Sequence, residues 1–230
     1  MKALLLSLVL CSAWMTAPAE TIIKDSFSRS ESRKSSDPLE SRPTETGGAT
    51  WIATRNLVIA PDAAGQSGVA VSNAGAFSGK VALPAEGDLI TIEAEVRAVP
   101  SAGGTNWVAI GLGDLPREGE FSWSKGLFLL VMNTGQFQCF ANFQAGGAGP
   151  TIAIKNGNTL DFDATGMTKV KIEYDRRSHV LCLWVNEIAV VKGYPFKENQ
   201  FLPDTSFAGF SGFKQTPMTQ TVRNFSVTVK

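Results

Sequence analysis

The chain has 230 residues, of which 43% are hydrophobic and 18% charged, and its 21 basic side chains balance 21 acidic ones. No basic block of the kind that neutralises phosphates is present, which argues against nucleic acid or an anionic membrane as a partner. Twenty-two glycines, and 14 phenylalanines against two tyrosines, suit a β domain punctuated by short turns.

Residues 1–19 carry one basic side chain, Lys2, then an apolar run over residues 3–10 and the small-x-small sequence Ala17-Pro18-Ala19. This is the pattern of a secretory signal peptide. A membrane anchor needs about 20 uninterrupted apolar residues and a basic flank after them, and a lipoprotein reading of Cys11 is weaker still, because a small residue should precede the cysteine and apolar sequence continues past it. The expectation is an exported protein, secreted or periplasmic, whose residues 20–230 form one domain with no membrane span. Cys139 and Cys182 remain in it. Export permits a disulfide between them, and two unpaired thiols packed as small apolar groups is the other reading. Without a partner histidine they make no zinc site.

In chain order, residues 21–27 read as an edge strand and residues 28–48 as a polar loop over the surface, ending at Gly47-Gly48 and delivering Trp51. Short strands are expected at 57–60, 68–72 and 79–82. Residues 88–100 alternate clearly, with Ile90, Ile92, Ala94 and Val96 on one face and Thr91, Glu93, Glu95 and Arg97 on the other. Residues 106–112 read as a buried strand with Trp107 in the core. Residues 126–132 and 136–143 read as a hairpin whose turn, Asn133-Thr134-Gly135, places glycine where φ is positive. A short strand at 151–154 precedes a polar connection over 156–166. Next comes the plainest segment of the chain. Val170, Ile172 and Tyr174 alternate with charged residues, a turn spans 176–179, residues 180–185 are apolar on both parities and so expected to be covered on both faces, and Asn186-Glu187 turns into a strand at 188–191. Strands at 207–213 and 221–229 close the chain. A dozen short strands with turns every 8 to 12 residues mean a sandwich or a barrel, and strand-like sequence at both ends favours a sandwich with neighbouring termini.

Taken in order, Asp25-Ser-Phe-Ser-Arg29, Glu45-Thr-Gly-Gly-Ala-Thr-Trp51, Asn106-Trp-Val-Ala-Ile-Gly111, Ile172-Glu-Tyr-Asp175, Leu183-Trp-Val-Asn186 and Val222-Arg-Asn-Phe-Ser-Val-Thr228 resemble the concanavalin A-like lectin and glucanase superfamily. The branch they resemble includes laminin-G-like domains of secreted bacterial proteins. The resemblance implies an all-β jelly-roll sandwich of two curved antiparallel sheets, with ligands of many relatives on a concave face or on rim loops. Relatives include enzymes, lectins and adhesion modules, so the fold leaves function open.

A retaining glycosidase needs two carboxyl groups about 5 Å apart. The nearest approach is Glu93 and Glu95, which share a strand face, but the third acid of the glucanase pattern is replaced by Arg97, and a solvated outer face is the simpler reading. Asp161 with Asp163, and Glu118 with Glu120, read as turn residues; if a metal is bound, calcium on such loop oxygens is the expected one. His179, the only histidine, lies in a hairpin turn and leaves no Ser-His-Asp arrangement. A lyase using Tyr or Lys as base has no motif to recommend it. Sugars stack on aromatic rings and hydrogen-bond to amides and carboxylates, which selects Trp123, Trp184 and Tyr194 as candidate ligand-binding residues and leaves Trp51 with Trp107 for the core. The expectation is a non-catalytic carbohydrate-binding or surface-adhesion module with a glycan or cell-surface polysaccharide as partner. A hydrolase or lyase on the same fold and a structural envelope protein are the alternatives.

Overall fold

The computed structural model describes residues 20–28, 37–61, 66–72, 75–99, 106–113, 126–141, 152–197, 201–214 and 218–230. These residues form fifteen strands and no helix: β1 (Glu20–Asp25), β2 (Ile52–Ala53), β3 (Leu57–Pro61), β4 (Ser67–Val71), β5 (Gly75–Ala82), β6 (Leu89–Val96), β7 (Trp107–Leu112), β8 (Leu127–Met132), β9 (Gln136–Ala141), β10 (Ile152–Asn158), β11 (Thr168–Asp175), β12 (Val180–Val185), β13 (Ile188–Pro195), β14 (Phe207–Lys214) and β15 (Met218–Val229). They build two antiparallel sheets. One has eight strands, ordered β13-β12-β11-β6-β15-β4-β3 with β1 also paired to β15, and the other has seven, ordered β10-β9-β8-β7-β14-β5-β2. Glu20 lies opposite Val229 and Asp25 opposite Phe225, so the first and last strands are neighbours as their sequences predict.

Alternation explains which faces meet. Ile90, Ile92, Ala94 and Val96 of β6 and Val170, Ile172 and Tyr174 of β11 point inward from the eight-stranded sheet, and Val108, Ile110, Leu112, Leu127, Leu129 and Val131 point inward from the other. Each such aliphatic side chain contributes about 1.5–3 kcal/mol by leaving water. Trp51, Phe27, Phe210 and Phe225 form an aromatic centre with ring centroids 5.2–6.3 Å apart. The buried Asp25 carboxylate fixes it, accepting the Trp51 indole N–H and the Phe27 backbone N–H, each at 2.8 Å. Outside this centre, Glu45 accepts hydrogen bonds from the backbone and hydroxyl groups of both Ser26 and Ser28.

At one end of the sandwich, the Arg176 guanidinium donates to the carbonyls of Pro84, Ala85, Glu86, Gly87 and Thr205 and to the Thr205 hydroxyl at 2.9–3.2 Å. The 84–87 turn it holds is tight. Gly87 has φ +90°, and a Cβ there would lie 2.3 Å from Val229 Cγ1.

Several expectations are corrected. Residues 180–185 are not covered on both faces: Leu181, Leu183 and Val185 enter the core, while Val180, Cys182 and Trp184 are half-buried on the outward face. Trp107 is outside the main core, because Val108, Ile110 and Leu112 take the inward parity and leave it half-buried in a small outward cluster with Ala109, Phe128 and Leu130. The polar connection expected from 156 starts later, since β10 runs to Asn158 in register with β9. The loop over 28–48 is partly strand-like, with bridges Lys24–Thr46, Pro38–Val58 and Pro43–Thr50. Cys139 and Cys182 are both free thiols: Cys139 faces the core from β9 and Cys182 faces outward from the opposite sheet, and burial pushes the Cys139 thiol far up. Gly135 does occupy positive φ, at +80°.

Candidate functional site

Because β6, β11 and β12 spend one parity on the core, their other parity forms a single outward surface. Register places Trp184 opposite Lys171, Lys171 opposite Glu93, and Glu93 opposite Ser226. A second row runs from Lys169 to Glu95 to Arg223. Between Arg223 and Ser226 the register of β15 shifts, and Asn224 takes φ +52°; bulges of this kind re-aim side chains. The result is an open groove of about 430 Å³ lined by Glu93, Glu95, Lys169, Lys171, Trp184, Glu187, Asn224 and Ser226, with Ala94 and Val170 contributing backbone-level contacts.

The charges in this groove are matched. Lys171 Nζ lies 2.7 Å from Glu173 and 3.8 Å from Glu93, and 4.7 Å from the centroid of the Trp184 ring. Arg223 Nε donates to Glu95 at 2.5 Å, and its guanidinium also reaches the Gln66 amide oxygen. Lys169 meets Glu187 at 2.7 Å; that contact raises the lysine and holds the carboxyl below its ordinary range. Both ends are solvated, so this pair adds little to stability. Glu187 and Asn186 both have positive φ, +66° and +48°, the signature of the tight hairpin turn expected at that dipeptide.

The sequence-selected residues are not gathered in one place. Trp184 lies in the groove. Tyr194 sits opposite Leu181 on the core-facing side of β13 and packs edge-on against Phe196, centroids 5.2 Å apart, so the sheet separates it from Trp184. Trp123, Glu118 and Glu120 lie outside the described residues. Glu93 and Glu95, selected by the enzyme reading, do line the same groove as Trp184. Lys169, Lys171, Asn224 and Ser226 were not selected from sequence; the period-2 pattern already put the two lysines on the face of Glu93, but cross-strand register and the β15 bulge were needed to bring in the other two.

Other candidates resolve into local structure. The Asp163 carboxylate accepts from the Thr165 backbone and hydroxyl at 2.8 and 2.7 Å and is held below its ordinary range by those bonds, as a turn residue should be. Among the described residues no cluster of three or more His, Cys, Asp or Glu side chains is placed to hold a metal. His179 Nδ1 lies 3.2 Å from the Tyr174 hydroxyl. Burial pushes that phenol up to about 12, with Asp175 adding to it, the wrong direction for a general base near neutrality. Among the described residues no helix is long and apolar enough to cross a membrane.

No family model matches the chain, and no curated protein matches it. Solved structures do match its fold. A glycoside hydrolase family 16 endo-glucanase from Bacteroides ovatus aligns with TM-score 0.54 at 10% identity, covering 89% of this chain and 96% of that one. The carbohydrate recognition domain of Emp47p aligns with TM-score 0.52 at 15% identity over 88% and 99%. Domain 4 of AbnA, an extracellular arabinanase from Geobacillus stearothermophilus in complex with arabinotriose, aligns with TM-score 0.51 at 12% identity over 92% and 93%. Two antiparallel sheets packed face to face, with this strand order and these likenesses, give the protein a jelly-roll β-sandwich fold.

Proposed function

We propose that the protein is an exported, non-catalytic glycan-binding or surface-adhesion module, and that the groove around Trp184 is a binding surface. One observation carries this reading: a half-buried indole stands in an open groove whose remaining walls are charged and amide side chains, the combination that holds sugar C–H faces and hydroxyls together. The fold likeness to a carbohydrate recognition domain and to a domain in complex with arabinotriose supports the ligand class without specifying a sugar. Export rests on the signal-like residues 1–19.

A hydrolase is the second reading, favoured by Glu93 and Glu95 sharing that groove. Arg223 and Lys171 weigh against it, because each carboxylate turns to a glycosidic bond only by giving up its ion pair. The test is a polysaccharide and glycan panel read for binding and for reducing-sugar release, with and without calcium. Saturable binding without product supports the module; product release that Glu93→Gln or Glu95→Gln abolishes replaces it with the enzyme.

A further inference from the structure

The seven-stranded sheet ends in an edge strand that breaks local sequence preference. Residues 156–158 of β10 read Asn-Gly-Asn, three residues depleted in strands and typical of turns, yet they continue the ladder with β9, Asn156 opposite Gln138 and Asn158 opposite Gln136. Gly157 is required there by contact, since a Cβ would lie 2.7 Å from Phe137 Cζ. No such contact demands the asparagines. Places where a local rule is broken without a packing reason are where function is expected to sit.

Phe137, Cys139 and Ala141 give β9 its core face, so Gln136 and Gln138 point outward, and register puts Asn156 and Asn158 beside them. The four amides thus form a two-by-two array, about 5 Å across the strands and about 7 Å along them. They line a shallow cleft of about 300 Å³ with Phe137 and Gly157. None of the four side chains hydrogen-bonds to another described residue. Each amide presents a donor and an acceptor, and the array holds no charge. Beside it on the same face run Leu130, opposite Gln138, and the half-buried Phe140, whose ring packs 5.4 Å from Phe128. Trp107 and Met132 extend this apolar cluster, in which Ala109, Phe128 and Leu130 are buried.

We propose that this amide array is a second ligand site, distinct from the Trp184 groove, and that it takes a neutral oligosaccharide. The adjoining donor and acceptor of each amide meet a pair of sugar hydroxyls, and amides about 5–7 Å apart meet successive hydroxyl groups along an oligosaccharide. An anionic glycan gains nothing here, because no cation belongs to the array. The inference goes beyond the Trp184 reading and stands or falls separately from it.

The experiment is calorimetric titration of the full protein with neutral cello-, laminari- and arabino-oligosaccharides and with oligogalacturonates, repeated for Gln138→Ala/Asn156→Ala and for Trp184→Ala. The amide side chains are at least partly exposed and make no hydrogen bonds to described residues, so the double variant should keep its melting temperature, which is checked alongside. The expected result is that a neutral oligosaccharide loses at least tenfold in affinity with the double variant and keeps an amide-dependent component in Trp184→Ala. Unchanged titration by every neutral oligosaccharide in the double variant overturns the site, whatever Trp184→Ala does. Tighter amide-dependent binding of the oligogalacturonates than of the neutral series overturns the ligand class. Amide-dependent dimerisation by light scattering, with no sugar bound, also overturns the proposal and assigns the edge to self-association.

Discussion

Lys171 Nζ lies 4.7 Å from the centroid of the Trp184 ring, across the pairing of β11 with β12. The ammonium orients the indole and occupies one of its faces, while its ion pairs with Glu173 and Glu93 keep it in place. On the proposed function, the other face or the edge of the ring is what remains for a sugar to stack on. Trp184→Ala removes the platform and is expected to weaken glycan binding by about 2 kcal/mol, roughly 30-fold. Lys171→Met removes only the orienting cation, worth about 0.5–1 kcal/mol, and should cost roughly threefold. Titration of both variants checks this order, and an equal loss in the two would mean that the lysine itself holds the ligand.

The Asp25 carboxylate serves the aromatic centre. In Asp25→Ala the buried Trp51 indole and Phe27 amide lose their acceptor, and a small void opens beside them. The expected loss is about 2–4 kcal/mol, measured by urea unfolding with an unchanged slope. A loss under about 0.5 kcal/mol would show that the hydrogen bonds to Asp25 do not fix this centre.

Arg176 holds two loops through a planar fork that a lysine cannot reproduce. Both Arg176→Ala and Arg176→Lys are expected to destabilise by about 2–3 kcal/mol, lowering the melting temperature by roughly 5–10 °C for a chain of this size. Full rescue by lysine would reduce the clamp to a charge effect.

Glu45 sets an acid limit on its contact with Ser26 and Ser28. Burial alone would raise its carboxyl, but the hydrogen bonds from Ser28 and Ser26 outweigh that and hold it at about 2, against an ordinary value of 4.5. A depressed carboxyl contributes stability above its unfolded value and loses it as pH falls through the folded one. The contribution is therefore complete above about pH 5 and fades between about 4.5 and 2. Solvent screening of this exposed group limits it to about 1 kcal/mol. Unfolding free energy measured from pH 6 to pH 2 should fall less steeply over that window in Glu45→Gln than in the parent, and identical slopes would remove Glu45 from the account.

Most of the fold was legible because the period-2 pattern is a local property. Val170, Ile172 and Tyr174, or Ile90, Ile92 and Ala94, identify an inward face with no knowledge of partners. The same reasoning failed for Trp107, whose aromatic character suggested the core although the parity of Val108 and Ile110 had already turned it outward. It failed again at Asn156-Gly157-Asn158, where turn-forming residues occupy an edge strand whose position is set by pairing with β9. Trp184 was selected from its parity and chemistry. Its companions Asn224 and Ser226 were not, because their place in the groove depends on a bulge in a strand some forty residues later. Tyr194 resembled Trp184 in composition alone, and two register shifts between β12 and β13 put it on the opposite face.

The central claim is binding without hydrolysis, and the most direct measurement is a single incubation of the purified protein with a panel of immobilised and soluble polysaccharides. Retention and reducing ends are read from the same samples. The account predicts saturable retention on at least one glycan, weakened in Trp184→Ala, with reducing ends at the level of the buffer blank. Reducing ends that rise with time and vanish in Glu93→Gln or Glu95→Gln would contradict it, and so would the absence of retention across the whole panel.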